Sequence, residues 1–323
     1  MVGSPHPQAH PVKSSAPASL SGIDYLCALA VVVVWGSNFV VMKLGLQGLS
    51  PMMLGALRYV CASLVFIPFV RRSSVPWRWL FVCGMLAFGQ FVFLFVGLKV
   101  GMTAGIASLV MQTQAFFTIV LAAVLLHERP KGYQWAGVAV SAIGLGVIAS
   151  VHGDGPGQMT LLGFVLALTG ALSWAGANIG IRYAMRASPG FDPLAFIVYS
   201  SAVPIVPFFA LALVVDGWPA ITDMVLNIGG REIFAVVYLG VLATVLAYTL
   251  WTRLLMRHPA ARVVPFSLLV PVVGIYAASV AFDEHMQPGQ WVGAALVFGG
   301  LLINQFGGRL RRRTPADVPV PRS

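Results

Sequence analysis

Charge is what this chain most lacks. Asp, Glu, Lys and Arg make up 9% of its 323 residues and hydrophobic types 58%, whereas a soluble domain carries about 25% charged residues. With so little polar surface to offer water, the chain is expected to cross a membrane many times. Cysteine is scarce too. Cys27, Cys61 and Cys83 all fall in apolar stretches, which argues against a disulfide framework, and their spacing fits no metal site. No carboxylate falls midway along an apolar stretch, so no proton-coupling acid stands out. The histidines His6, His10, His127, His152, His258 and His285 lie in the N-terminal tail or at the ends of apolar stretches, and neither HExxH nor GxSxG occurs. Intramembrane catalysis needs paired ionisable groups at one depth. The chain is therefore not expected to be an enzyme, and no cofactor or metal is expected.

What is present is hydrocarbon in long runs. A spanning helix needs about 20 mostly apolar residues. Ten stretches qualify, at 24–44, 51–70, 77–98, 104–126, 131–151, 160–184, 192–215, 232–254, 260–282 and 287–306. The fold class expected is all-α integral membrane with ten transmembrane helices. Short connectors hold turn formers, such as Ser-Pro at 50–51, His-Gly-Asp-Gly-Pro-Gly at 152–157 and Ser-Pro-Gly at 188–190. One longer connector, about 216–231, has room for a short surface helix. Residues 1–22 are rich in Pro, Ser and Ala and read as a disordered tail rather than a secretory signal. The basic tail at 308–323 also reads as disordered.

The net charge of +10 does not indicate nucleic acid, because the basic residues sit in connectors and tails instead of on one amphipathic face. They serve to orient the chain in the lipid bilayer and to meet anionic headgroups. Ten spans put both termini on one side. The tails and the loops after spans two, four, six and eight hold Lys13, Arg71, Arg72, Arg78, Arg129, Lys131, Arg182, Arg186, Arg253, Arg257, Arg262, Arg309, Arg311, Arg312, Arg313 and Arg322. The other side keeps Lys43, Lys99 and Arg231, and Arg58 lies inside span two. By the positive-inside rule both termini are expected in the cytoplasm.

The chain repeats itself. Glu128 to Gly137 and Glu284 to Gly293 both read E-x5-Q-W-x-G, offset by 156 residues, and Gly144 and Gly300 keep the offset. Trp35 precedes Lys43 by eight residues, and Trp174 precedes Arg182 by eight, with Asn38 and Asn178 between them. Two halves follow, at 23–152 and 153–307, each of five spans. Because five is odd, the second half enters the membrane inverted, an arrangement that suits alternating access around a site at the midplane.

Three segments carry a resemblance: VVVVWGSNFVVMKLGL (31–46), GIASLVMQTQAFFTIVLAAVLLHERPKGYQWAG (105–137) and FSLLVPVVG (266–274). Over about residues 22–307 the chain resembles the drug/metabolite transporter superfamily, each half being similar to one EamA domain. Within that family the segments are most similar to the bacterial inner-membrane exporter of cysteine and O-acetylserine. The resemblance implies a multi-pass inner-membrane transporter that exports small amino-acid metabolites without ATP, and no Walker A pattern occurs. Drugs, lipids or other metabolites are the alternative cargo in the same fold.

Polar groups inside a bilayer are costly and face a cavity or a neighbouring helix. That singles out Trp35, Asn38, Arg58, Gln90, Gln112, Gln114, Trp174, Asn178, Tyr248 and Trp251 as substrate-binding candidates, with Thr113, Tyr199, Ser200, Ser201, Thr244, Ser267 and Tyr276 as further polar positions. Arg58 lies about 10–12 Å into its span. It either receives a carboxylate, for which guanidinium is suited, or ties helices together. Trp35 and Trp174 either line the pathway or anchor packing. Gln112 and Gln114 are about 200° apart on a helix, so they are not expected to share one cavity. Glu128 and Glu284 are expected to cap or bridge helix ends. Pro265 and Pro271 predict a kink in span nine, where span four has Leu109 and Ala115, so an unequal pair is expected. Pro204 and Pro207 predict a similar break in span seven. Gly137, Gly144, Gly293 and Gly300 suggest close helix packing and a homodimer contact.

Overall fold

The computed structural model describes residues 20–153 and 158–310. The tails expected at 1–22 and 308–323 fall almost wholly outside this range, as does the Asp-Gly-Pro-Gly part of the connector between halves. Among the described residues there is no strand. Ten helices among these residues are long and apolar enough to cross a membrane: Gly22–Gly45, Pro51–Phe69, Trp77–Lys99, Ala104–Leu125, Gly132–Ser150, Leu161–Ala187, Pro193–Val215, Gly230–Arg257, Val264–Phe282 and Pro288–Gly308. These are spans one to ten below. The long connector carries the expected short helix, Trp218–Leu226.

Short polar residues set where the spans begin. Ser21 caps span one, accepting from the Asp24 N–H while the Asp24 side chain bonds back to the Ser21 N–H. Ser50 and Asp192 cap helices whose first residue is proline, which has no N–H to lose there. Along span one, Ile23, Leu26, Leu29 and Val33 are exposed to the lipid side, while Ala28, Val31 and Val32 are buried. That one-sided exposure is what a helix on the rim of a bundle requires.

Five spans depart from a regular α-helix, the end of span two among them, where a 3-10 turn forms at Ile67–Phe69 around Pro68. Span nine opens with a 3-10 stretch, Val264–Leu269, around Pro265. Span seven is split into Pro193–Ser200 and Ile205–Val215 at Pro204. Span four also unwinds, into a 3-10 turn at Met111–Thr113, although it holds no proline. Both members of the pair therefore unwind, span nine over six residues and span four over three: 264–269 less the repeat offset is 108–113, which contains the shorter turn. Span eight holds a π-helical segment, Tyr238–Leu246, in which the Thr244 hydroxyl bonds the Leu239 carbonyl at 2.7 Å.

Without a hydrophobic drive between helices in lipid, close packing of small residues holds spans together. Spans five and ten cross through their glycines. A Cβ on Gly137 would stand 2.7 Å from the Gly300 carbonyl, and one on Gly144 would stand 2.7 Å from that of Gly293. Between them Ser141 Oγ donates to the Val297 carbonyl at 3.3 Å. Ser141 and Val297 are equivalent by the 156-residue offset, so the pseudo-twofold axis of the repeat runs between them. The faces of these glycines are filled within one chain.

Candidate functional site

The axis leads inward to a cavity of about 440 Å³, within the usual range of about 300–1,000 Å³ for small-molecule sites. All ten candidates from the sequence line it: Trp35, Asn38, Arg58, Gln90, Gln112, Gln114, Trp174, Asn178, Tyr248 and Trp251. Apolar walls complete it, among them Phe39, Met42, Phe91, Leu94 and Met111, which carry no polar signal in the sequence. Met185 near the end of span six and Met256 near the end of span eight stand at its mouth, and both are exposed. At the other end Met42, Leu94, Ser108 and Met111 are buried. The cavity therefore opens to the face where span one begins and span ten ends, and is closed to the opposite face.

Span one shows how one stretch divides its duties. Trp35 donates its indole N–H to the Ala243 carbonyl at 3.1 Å and lies 5.0 Å from the Tyr248 ring and 5.5 Å from the Trp251 ring, centroid to centroid. Gly36 gives room for span nine, since a Cβ there would meet Val273 at 2.5 Å. Ser37 shares a 2.7 Å hydrogen bond with the Tyr238 hydroxyl, away from the cavity. Asn38 directs its amide nitrogen at the Met42 sulfur, 3.9 Å away, and its buried carbonyl oxygen has no partner.

Arg58 does not reach for either headgroup region. It is 1% exposed, with Nε and Nη2 both donating to Thr244 Oγ1, at 3.1 and 2.9 Å. Its guanidinium carbon lies 3.8 Å from the Phe91 ring centroid. Nη1 is buried with no hydrogen-bond partner, and among the described residues no carboxylate pairs with this side chain. It stands in the wall between the main cavity and an annex of about 60 Å³ that Ser200, Ser201 and Thr244 also line.

The two glutamines share the cavity after all. In the 3-10 turn each residue advances about 120° instead of 100°, so side chains two apart come about 120° from each other and both reach the same space. Gln112 Nε2 donates to the Ser267 carbonyl at 3.0 Å, joining the unwound part of span four to that of span nine next to the pseudo-twofold axis. Gln114 Oε1 accepts from Asn178 at 2.6 Å, and Asn178 also donates to Thr118 at 3.3 Å. Ser267 lines the cavity. Tyr276 is 73% exposed and lies on the outside of the bundle. Thr113 turns back to bond the Val110 carbonyl.

Thr244 is the support that sequence reasoning underweighted. It appears there as one polar residue among many in span eight, yet it holds two of the guanidinium's nitrogens. The π-helical register that delivers it has no composition signature, although such segments are frequent at functional sites.

Comparison with known proteins matches the model of the EamA-like transporter family over residues 22–150 and 161–305. A relative in Salmonella typhimurium (strain LT2), named a probable amino-acid metabolite efflux pump, is 43% identical over 91% of this chain and 98% of the relative. A protein of the same name in Escherichia coli (strain K12) is 42% identical over 91% of this chain and 98% of the relative. A probable terminal-alkyne amino-acid exporter of Streptantibioticus cattleyicolor is 28% identical over 89% of this chain and 95% of the relative. One crystal structure, 21% identical, superposes with a TM-score of 0.60 and covers 93% of this chain and 100% of that one. That likeness speaks to the fold alone.

Proposed function

Because this chain belongs to the EamA-like transporter family, we propose that it exports small amino-acid metabolites across the bacterial inner membrane by alternating access, with both termini in the cytoplasm. The distribution of Lys and Arg supports that orientation. In it, the cavity faces the cytoplasm, where an exporter takes up its cargo. The names of the relatives that are 42–43% identical support the cargo class.

One observation carries the reading. Arg58 is a fully buried cation with a free N–H and no carboxylate partner among the described residues. A buried charge is costly unless it is paired and hydrogen-bonded. Once the guanidinium turns Nη1 to the cavity, a cargo carboxylate would supply the missing partner, losing solvation while making a charge-assisted bond. The ammonium group has complementary acceptors in the unpartnered carbonyl oxygen of Asn38 and the aromatic faces of Trp35, Tyr248 and Trp251. Gln90 and Trp174 line the remaining wall, and Gln112, Gln114 and Asn178 hold spans four, six and nine around it. The volume suits a zwitterion of cysteine or O-acetylserine size.

Counterflow tests this. Proteoliposomes loaded with unlabelled cysteine are expected to accumulate labelled cysteine and O-acetylserine. The absence of counterflow for any amino acid, aromatic ones included, would overturn the cargo class.

A further inference from the structure

The glutamates of the repeated motif sit at the two ends of the transport path, in unequal environments. Glu284 stands on the closed face with its side chain 7% exposed. Its Oε1 accepts from Lys43 Nζ at 2.7 Å and from the Ala104 N–H at 3.1 Å, and its Oε2 accepts from the Gly105 N–H at 3.0 Å. One carboxylate thus ties the ends of spans one and nine to the start of span four, and Lys43 also lies 4.7 Å from the Phe282 ring centroid. Just inside, a Cβ on Gly274 would meet Ser108 at 2.5 Å, so spans four and nine are in tight contact there.

Glu128 is the equivalent residue on the open face. It pairs with Arg182 at 3.1 Å, as Glu284 pairs with Lys43, but its side chain is 49% exposed and that of Arg182 is 43% exposed. The residue before each glutamate has the same left-handed backbone. Among the described residues, the non-glycine positions with left-handed backbone are His127 (φ 53°) and Asp283 (φ 54°), each immediately before its glutamate. That conformation is unfavourable for a residue with a Cβ, and residues held so cluster at switch regions. Its recurrence marks the two glutamates as equivalents in the repeat.

We propose that Glu284 and Glu128 are alternating positioning residues of the transport cycle. Glu284 closes the outer face in the state seen here. In the state open to the outside, Glu128 closes the cytoplasmic face, its pair with Arg182 becoming buried as that of Glu284 with Lys43 is here. The inference rests on the transporter reading but on no particular cargo.

The consequences of the two substitutions are opposite. The exposed Arg182–Glu128 pair adds little to the present state, so Glu128→Gln chiefly weakens the other one. The buried Glu284 contacts are charge-assisted and stronger, so Glu284→Gln weakens the present state.

The test uses the full chain with Cys27, Cys61 and Cys83 replaced and a single reporter, Ser267→Cys, in the cavity. A membrane-impermeant thiol reagent is applied to sealed right-side-out and inside-out vesicles, and the ratio of outer to cytoplasmic labelling rates is read. Glu284→Gln should raise the ratio by about tenfold and Glu128→Gln should lower it by about tenfold, while the double variant returns toward the parent. Lys43→Gln should shift the ratio in the same direction as Glu284→Gln, which covers the case in which the latter fails to insert. The inference is overturned if the two Gln variants shift the ratio in the same direction or leave it unchanged. Labelling needs no cargo, so absent counterflow with opposite ratio shifts would count against the cargo alone.

Discussion

Arg58 and Asn38 present opposite needs within one cavity: an unused donor on a cation, and an unused acceptor on a neutral amide. Charge-assisted hydrogen bonds contribute about 1.5–3 kcal/mol, so Arg58→Ala should weaken binding of an amino acid by about tenfold to a hundredfold while the chain still inserts. Tryptophan-fluorescence titration on purified protein would read this, with Trp35, Trp174 and Trp251 in the cavity wall. Unchanged affinity would mean that the carboxylate binds elsewhere. Asn38→Leu should act on the other end of the cargo. It should reduce the preference for cysteine over its des-amino analogue, measured as the ratio of their inhibition constants, and an unchanged ratio would remove Asn38 from the ammonium site. These residues stand out in the sequence because polar side chains are costly in a bilayer. What they touch does not. Thr244 reaches Arg58 through a π-helical register, and Ser37, one residue from Asn38, turns to Tyr238.

At the scale of helices, two kinds of contact shape the cavity: glycine crossings that fix helices and unwound segments that let them bend. Gly300→Val should lower the thermal midpoint of the purified protein, since its Cβ would collide with Ser141 Oγ and stand 2.5 Å from the Gly137 carbonyl, and such overpacking costs about 1–3 kcal/mol. The neighbouring Gly299→Val meets nothing within 4 Å and should leave the midpoint unchanged. Equal midpoints for the two variants would contradict the crossing. Span number and approximate bounds follow directly from hydrocarbon length, and the breaks in spans seven and nine from proline. The break in span four has no such sign, because its cause is tertiary: Gln112 bonds the span-nine backbone, and Gln114 bonds Asn178 of span six. The glycine pattern shows close packing in the sequence, but which surface it meets depends on the arrangement of all ten spans.

Across the whole molecule, the inverted repeat makes the two faces chemically equivalent in design and unequal in state. Ser141 with Val297, and Gln112 with Ser267, mark the axis. Around it the cavity opens at Met185 and Met256 and closes beneath Lys43 and Glu284. In the proposed function, an exporter so arranged receives cargo from the cytoplasm and holds its carboxylate at Arg58 before the outer face opens. The most direct measurement compares counterflow of labelled cysteine and labelled cysteamine, its decarboxylated counterpart, in proteoliposomes of the natural protein and of Arg58→Ala. Cysteine should exchange at least tenfold faster than cysteamine through the natural protein, and Arg58→Ala should abolish that difference by losing cysteine transport. Equal exchange of the two compounds by the natural protein, or undiminished cysteine exchange by Arg58→Ala, would contradict the carboxylate site.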